Sequence, residues 1–184
     1  VEVVKKPRVA IIPTGDELVA ARAELKPGTI LDVNSYMLAA AVTEWGGQPV
    51  RLAIVKDDRQ AIKQAIFASL QVNDMVIINA GTSAGTEDYT ADVLADLGDV
   101  LVHGVAIKPG KPVILAICQG KAVIGLPGYP VSAMLTAELF VRDILLARQK
   151  LPRPETAKIE ATLVKQVASN LGVEEYIRVS VGSM

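Results

Sequence analysis

The sequence has few of the residues that usually mark metal centres, disulfide frameworks and nucleic-acid surfaces. Its 184 residues include one cysteine and one histidine, and 20 acidic side chains slightly outnumber 19 Lys and Arg. One cysteine excludes an internal disulfide, and the single histidine and cysteine leave no Cys/His cluster for zinc. A net charge of −1 gives no support to nucleic acid as a partner. We interpret Cys118, which lies in an apolar run, as a small buried hydrophobe.

Long apolar runs and aromatic residues are also scarce. No run approaches the roughly 18 apolar residues of a membrane span, and no charged-then-apolar leader opens the chain, so we expect a cytoplasmic protein without a membrane partner. Aromatic residues make up 4% of a chain that is 51% hydrophobic, so the core must consist of Val, Ile, Leu and Ala. That composition favours parallel strands covered by helices. Because the chain opens on Val1, we expect a piece of a longer protein.

Strand-like and helix-like segments alternate along most of the chain. The patterns predict strands over 8–12, 49–55, 75–78, 100–107, 112–118 and 121–126, and helices over 34–45, 59–70, 90–97 and 131–148. Asn34 is expected to cap the first helix, and the last two strands could form a hairpin through Gln119 and Gly120. They predict an α/β fold, a three-layer α/β/α domain with a mostly parallel sheet, over residues 1–150. Residues 151–184 are predicted to be a linker and the start of a small C-terminal β domain, with β segments at 156–165 and 173–181.

A glycine-rich turn separates the predicted strand 75–78 from the following helix. It contains Gly81, Thr82, Ser83 and Gly85, followed by Glu87 and Asp88. Exposed backbone N–H groups and a helix N-terminus favour an anion, whereas the carboxylates of Glu87 and Asp88 require a cation or protons. The turn therefore indicates a phosphorylated ligand handled with a divalent cation.

The same turn also matches the G-x-S-x-G elbow of serine hydrolases. A hydrolase needs a histidine base, and His103 lies only about 20 residues further on, inside an apolar run. The hydrolase order normally spreads its triad over several further strands. We therefore do not favour this interpretation.

Four other loops follow predicted strands and carry polar or rigid residues. They are Thr14-Gly15-Asp16-Glu17, Asp57-Asp58, the loop with Lys108 and Lys111, and Pro127-Gly128-Tyr129-Pro130-Val131-Ser132. Taken singly, the first two also suit a solvated turn and a helix cap, and Ser132 also suits a cap. The two lysines, held between prolines and glycine, suit phosphate or another oxyanion. Because ligands of such sheets bind beyond the carboxyl ends of the strands, we expect the loops to form one site.

In their order and spacing, these five motifs resemble the molybdopterin-binding domain of the molybdopterin molybdenumtransferase (MoeA) family, which is similar to the E domain of gephyrin. The resemblance covers about residues 5–148 and implies a MogA-like fold. It implies insertion of molybdenum from molybdate into adenylylated molybdopterin, with release of AMP, assistance by Mg²⁺, and a homo-oligomer, a dimer in the full-length parent. We expect the chain alone to lack turnover.

The resemblance also implies roles for individual residues. Glu17, Asp57 and Asp88 would hold Mg²⁺ or position the pyrophosphate, and Lys108 would contact molybdate or phosphate; all four would be catalytic. The remaining positions would bind substrate: Thr14, Gly15, Gly81, Thr82, Ser83, Gly85, Lys111, Pro127, Gly128, Pro130 and Ser132.

The chain departs from the family pattern at Ala80, at Gly104, where better-known members have lysine, and at Tyr129. These departures predict a divergent branch. Two other functions remain open at this point, a molybdopterin adenylyltransferase and a non-catalytic pterin-binding scaffold.

Overall fold

The computed structural model describes residues 3–79, 86–155 and 157–182, and for residues 86–88 it describes the helix alone. Its strands are β1 (Arg8–Pro13), β2 (Leu18–Val19), β3 (Ile30–Leu31), β4 (Gln48–Arg51), β5 (Met75–Asn79), β6 (Gly98–His103), β7 (Ile107–Lys108), β8 (Ile114–Cys118), β9 (Lys121–Leu126) and β10 (Glu174–Glu175). Its helices are α1 (Asn34–Glu44), α2 (Arg59–Val72), α3 (Thr86–Leu97), α4 (Pro130–Thr136) and α5 (Arg142–Arg148), with a π-helical turn at Ala137–Val141 joining the last two.

Six strands form the main sheet in the order β4-β1-β5-β9-β8-β6. The first four run parallel, whereas β8 is antiparallel to both of its neighbours. The predicted hairpin between β8 and β9 is confirmed, since Gln119 and Gly120 have φ values of 51° and 72°. Positive φ at both central residues is the requirement of a type I′ turn.

Helices cover both faces of this sheet. Alternate residues of the central strands face opposite sides, so Ile11 and Ile77 pack with α1 and α5, while Ile12 and Ile78 pack with α2 and α3. All four side chains are completely buried. Burial on both faces explains why these strands are continuous apolar runs rather than alternating ones. The predicted three-layer α/β/α fold with a mostly parallel sheet is confirmed.

Two predicted strands have different bounds in the structure. The strand predicted over 49–55 ends at Arg51, although the Val55 N–H still donates to the Pro13 carbonyl at 2.9 Å. The strand predicted over 100–107 stops at His103, because Gly104 turns the chain with φ +83°. The next two-residue strand, β7, pairs with β10 instead of joining the main sheet.

The tail after residue 150 has little regular structure. The strand predicted over 156–165 was wrong for its described part, 157–165, which has no strand, and the segment predicted over 173–181 forms a strand only at Glu174–Glu175. A strand requires a partner to hydrogen-bond with, and an alternating pattern does not provide one. In the described part of the chain, no helix has the length and apolar character needed to cross a membrane.

Candidate functional site

Three neighbouring parallel strands, β1, β5 and β9, end side by side at one edge of the sheet. Thr14 follows β1, and its N–H donates to the carbonyl of Asn79, the last residue of β5, at 3.0 Å. On the other side of β5, Asn79 is paired with Leu126, the last residue of β9. Ligands of open α/β sheets bind beyond this edge, so the loops that leave it are the candidate site.

Two buried asparagines tie the loops at this edge together. The Asn34 Nδ2 donates to Asn79 Oδ1 at 2.9 Å and to the Gly128 carbonyl at 2.6 Å. The Asn79 Nδ2 donates in turn to the Pro127 carbonyl at 2.8 Å. This network therefore fixes the Pro127–Gly128 loop relative to α1 and β5.

Asn34 adopts this position because it does not cap the helix that it begins. The expectation that Asn34 caps α1 was wrong: Asp32 accepts the Ser35 N–H at 3.0 Å, and the Ser35 hydroxyl also donates to Asp32. Arg51 reinforces this start, donating from Nε to the Ser35 hydroxyl at 3.0 Å and stacking 3.3 Å above the Tyr36 ring. The Asn34 side-chain amide therefore bonds instead with Asn79, at the end of β5, and with Gly128, after β9.

A cavity of about 240 Å³ opens beside the asparagine network. The two-stranded ribbon β2–β3 provides one wall, because the Ile30 N–H donates to the Glu17 carbonyl at 2.8 Å and holds the loop after β1 in place. The apolar lining residues are Leu18, Ile30, Leu31, Val33, Tyr129 and Pro130. The polar ones are Glu17, Asp32, Asn34 and Asn79. A cavity with apolar walls and a few convergent polar groups is typical of a small-molecule site.

Asp57 interacts with two other carboxylates, one of which, Glu17, lines this cavity. Burial raises the pKa of the Asp57 carboxyl, and the negative charges of Glu17 and then Asp16 raise it further. The Asp57 Oδ1 is buried and accepts no hydrogen bond from the described residues. Like charges that raise a carboxyl pKa favour binding of a cation or a proton. Of the predicted carboxylates, Glu17 and Asp57 are thus neighbours in the structure.

Gly15 allows Glu17 to adopt its position. Its φ is +150°, and a Cβ atom at this residue would lie 2.8 Å from the Glu17 Oε2. The Gly15 N–H donates to the Val55 carbonyl at 3.1 Å, which anchors the turn to the segment before Asp57. Thr14, just before it, is completely buried. The Thr14–Glu17 loop is therefore held over the end of β1.

A complete metal centre is not formed by the described residues alone, since they contain no group of three or more His, Cys, Asp or Glu placed to hold a metal. The third predicted carboxylate, Asp88, belongs to the first turn of α3, and its side chain lies outside the described residues. Gly81, Thr82, Ser83 and Gly85 also lie outside them.

Neither of the two predicted lysines, Lys108 and Lys111, is among the described residues that line this cavity. Lys108 Nζ forms an ion pair with Glu175 Oε1 at 3.0 Å, and its side chain is 65% exposed. Lys111 is exposed, and its carbonyl accepts the Val105 N–H at 2.9 Å.

The last predicted loop, Pro127–Ser132, is divided between the cavity and α4. Gly128 and Pro130 line the cavity, and the Pro127 carbonyl belongs to the asparagine network. Ser132 lies within α4, where its carbonyl accepts the Thr136 hydroxyl at 2.7 Å.

Asn34 and Asn79 were not predicted as site residues from the sequence. Asn34 was interpreted as a helix cap, and Asn79 only as the start of the glycine-rich turn. Asn34 is the first residue of α1 and Asn79 is the last residue of β5, and this position at an end of each element was the available signal. A buried asparagine is itself informative, because its amide must find partners.

Comparisons with known proteins agree with this fold. Residues 10–147 match the family described as "Probable molybdopterin binding domain". A molybdopterin biosynthesis protein from Methanocaldococcus jannaschii is 38% identical over 180 residues, which cover 93% of this chain and 43% of the relative. A molybdopterin molybdenumtransferase from Nostoc sp. is 39% identical over 149 residues, which cover 79% and 34%.

Solved structures give the same result. A crystal structure of the molybdopterin biosynthesis MoeA protein from Pyrococcus horikoshii aligns with a TM-score of 0.73 and 43% identity, over 79% of this chain and 36% of that one. The chain thus spans less than half the length of these relatives. By its sequence match and by its fold, this chain belongs to the molybdopterin-binding domain family.

Proposed function

We propose that this chain is the molybdopterin-binding domain of a molybdopterin molybdenumtransferase, which inserts molybdenum from molybdate into adenylylated molybdopterin and releases AMP. The observation that carries the proposal is the acidic pair Glu17 and Asp57 beside a cavity with a polar floor, at the ligand edge of the sheet. Relatives that carry this activity in their names support it.

The proposal includes the organisation of the parent protein. Residues 1–150 would form the molybdopterin-binding domain, and residues 151–184 a linker and part of a C-terminal β domain. The full-length parent would be a cytoplasmic dimer.

The carboxylates of Glu17 and Asp57 have the chemistry of magnesium ligands. The Asp57 Oδ1 is buried and accepts no hydrogen bond from the described residues. The negative charge of Glu17 raises the pKa of the same carboxyl. Oxygen ligands from one or two carboxylates are what Mg²⁺ usually takes from a protein. Glu17 and Asp57 would hold the ion, with Asp88 as the third carboxylate.

When bound, magnesium would neutralise charge on the pyrophosphate that is cleaved. The residues themselves would position the reacting groups. Glu17 and Asp57, fixed by the loops after β1 and before α2, would orient the pyrophosphate. Lys108 would attract molybdate or phosphate once its ion pair with Glu175 is exchanged for the substrate anion.

The proposal is tested in the full-length parent by the substitution Asp57→Asn. Loss of one charge-positioning group commonly lowers kcat by about 10²–10³-fold, so molybdate-dependent AMP release should fall by that order. Binding of the adenylylated pterin should change much less. The adjacent Asp58→Asn is the matched control: Asp58 caps α2 by accepting the Ala61 N–H at 2.8 Å, and asparagine caps equally well.

Equal turnover in the Asp57 variant and the wild type would remove Asp57 from the mechanism. The same assay separates the other two functions. An adenylyltransferase would consume ATP without molybdate, and a scaffold would bind the pterin with no turnover of either kind.

A further inference from the structure

The cavity contains one buried acceptor that no described residue satisfies. Asn34 is 7% exposed, and both hydrogens of its Nδ2 are used by Asn79 Oδ1 and the Gly128 carbonyl. Those two partners are oxygens that only accept, so the orientation of the amide is fixed. Its remaining polar atom, Oδ1, accepts no hydrogen bond from the described residues. Buried acceptors are rarely left unpaired, so this one requires an explanation.

The other polar atoms of the cavity floor already have partners. Asp32 accepts two hydrogen bonds from Ser35, one from the backbone and one from the hydroxyl. Asn79 both accepts, from Asn34, and donates, to the Pro127 carbonyl. Asn34 Oδ1 is therefore the position at which a ligand would gain a hydrogen bond from this floor.

The chemistry of the cavity indicates the kind of ligand. A phosphate offers only acceptor oxygens, so it could not hydrogen-bond to the Asn34 Oδ1, and the Asp32 carboxylate would repel it. The walls, formed by residues such as Leu18, Leu31 and Tyr129, suit the faces of a flat apolar ring. A volume of about 240 Å³ lies below the range of roughly 300–1,000 Å³ for drug-sized ligands, so it suits a ring rather than a whole nucleotide.

We propose that Asn34 Oδ1 accepts a hydrogen bond from the exocyclic amino group of a heteroaromatic ring that occupies this cavity. The inference rests on the proposed function, because adenylylated molybdopterin carries two such rings, the pterin and the adenine. It also fixes the orientation of the ligand in the cavity. The ring would lie between the ribbon β2–β3 and Tyr129, and the phosphates would lie toward Glu17 and Asp57, which would hold a cation that neutralises their charge.

The test compares ligands that differ only in the amino group. Dissociation constants of the purified chain are measured by calorimetry for adenosine against purine riboside, and for pterin against its 2-desamino analogue. We expect the amino compound of one pair to bind about tenfold more tightly, the value of one ordinary hydrogen bond. The pair that shows the preference identifies the ring as adenine or pterin.

Two variants separate recognition from a structural role of Asn34. Asn34→Ala should abolish the preference for the amino compound. Asn79→Ala breaks the same network but leaves Asn34 bonded to Gly128, so it should keep the preference even where both affinities fall. If Asn34→Ala does not fold by circular dichroism, the wild-type pairs and Asn79→Ala still decide the question.

Equal affinities within both pairs, no binding of any of the four compounds, or a preference that survives in Asn34→Ala would each overturn the inference. None of these outcomes bears on the proposed function, which depends on the turnover of the Asp57 variant.

Discussion

Two parts of this chain both contain many apolar residues but have very different structures. In the body, residues 8–150, the central strand β5 buries every side chain, and Ile11, Ile12, Ile77 and Ile78 have no exposed surface. In the tail, residues 151–182, Ile159 is 68% exposed, and the only described strand is two residues long. The difference lies in the partners, because each strand of the main sheet pairs with a neighbouring strand and helices cover both faces of that sheet. An apolar pattern becomes structure only where other elements cover it.

The largest expected effect tests this difference directly. Ile77→Ala removes a fully buried side chain from a central strand and should lower the free energy of unfolding by about 2–5 kcal/mol, the usual value for such a cavity. The matched substitution Ile159→Ala in the tail should change it by less than about 0.5 kcal/mol. Urea denaturation of both variants measures the two values. A loss at Ile159 comparable to that at Ile77 would mean that the tail is packed.

Asparagine substitutions provide the same comparison for polar groups. Asn79→Ala removes the side chain that joins Asn34 to the Pro127 carbonyl and leaves buried polar atoms unpaired, so it should lower the free energy of unfolding by about 1–3 kcal/mol. Asn170→Ala, in the exposed tail, is the control and should have no measurable effect. Wild-type stability of the Asn79 variant would show that the network does not contribute to holding the loops.

The same contrast explains what could be predicted from the sequence. Runs such as 8–12 and 75–78 predict buried strands because burial on both faces requires continuous apolar residues, and the structure confirms them. The tail gave an equally clear alternating pattern over 156–165, yet its described part forms no strand, since strand pairing depends on residues far away in the chain.

Long-range contacts also limited the prediction of the site. The carboxylates Glu17 and Asp57 were expected to be neighbours because both follow the same edge of the sheet, and their charges interact. The bond between Asn34 and Asn79 joins residues 45 positions apart, and no local pattern indicates it. Asparagine is a common residue at helix caps, but Asp32, two residues before Asn34, accepts the hydrogen bond at the start of α1. The catalytic role of Lys108 stays a prediction.

The pairing of β10 with β7, which is one of the contacts between the tail and the body, gives the next prediction. The Tyr176 N–H donates to the Lys108 carbonyl at 2.8 Å, and Lys108 holds the pKa of Glu175 below its ordinary value, so that Glu175 is charged at neutral pH. Glu175→Gln should therefore strengthen binding of molybdate by a factor of a few at low salt, because Lys108 no longer has a competing carboxylate. Calorimetry at two salt concentrations measures this change.

Two controls accompany it. Glu174→Gln removes a neighbouring carboxylate that accepts the Tyr176 hydroxyl at 2.7 Å, and it should have a smaller effect. In a Lys108→Met background, Glu175→Gln should have no effect. An unchanged affinity in the single Glu175 variant would show that the ion pair does not compete with anions.

The smallest expected effect concerns thermal stability, and it compares removal of the Asp57 charge in the body with removal of an exposed charge in the tail. In the folded protein, burial and the charges of Glu17 and Asp16 raise the pKa of Asp57 from its ordinary value of 3.8. Without a cation, the folded state therefore binds the proton more tightly than the unfolded state does. Stability falls as the pH rises from about 3.8 through the raised pKa, and the loss is complete above it. Asp57→Asn should remove this loss and give a slightly higher Tm at pH 7, with the gain shrinking as the pH is lowered toward 4.

Asp58→Asn and, in the tail, Glu160→Gln make the same change of charge at exposed positions and serve as controls for the change of charge itself. Addition of Mg²⁺ at pH 7 should raise the Tm of the wild type, because a cation relieves the repulsion between Glu17 and Asp57, and should have less effect on Asp57→Asn. Thermal melts from pH 4.5 to pH 7.5, with and without Mg²⁺, measure both trends. A Tm difference between Asp57→Asn and the wild type that is the same at every pH would show that titration of Asp57 is not its cause.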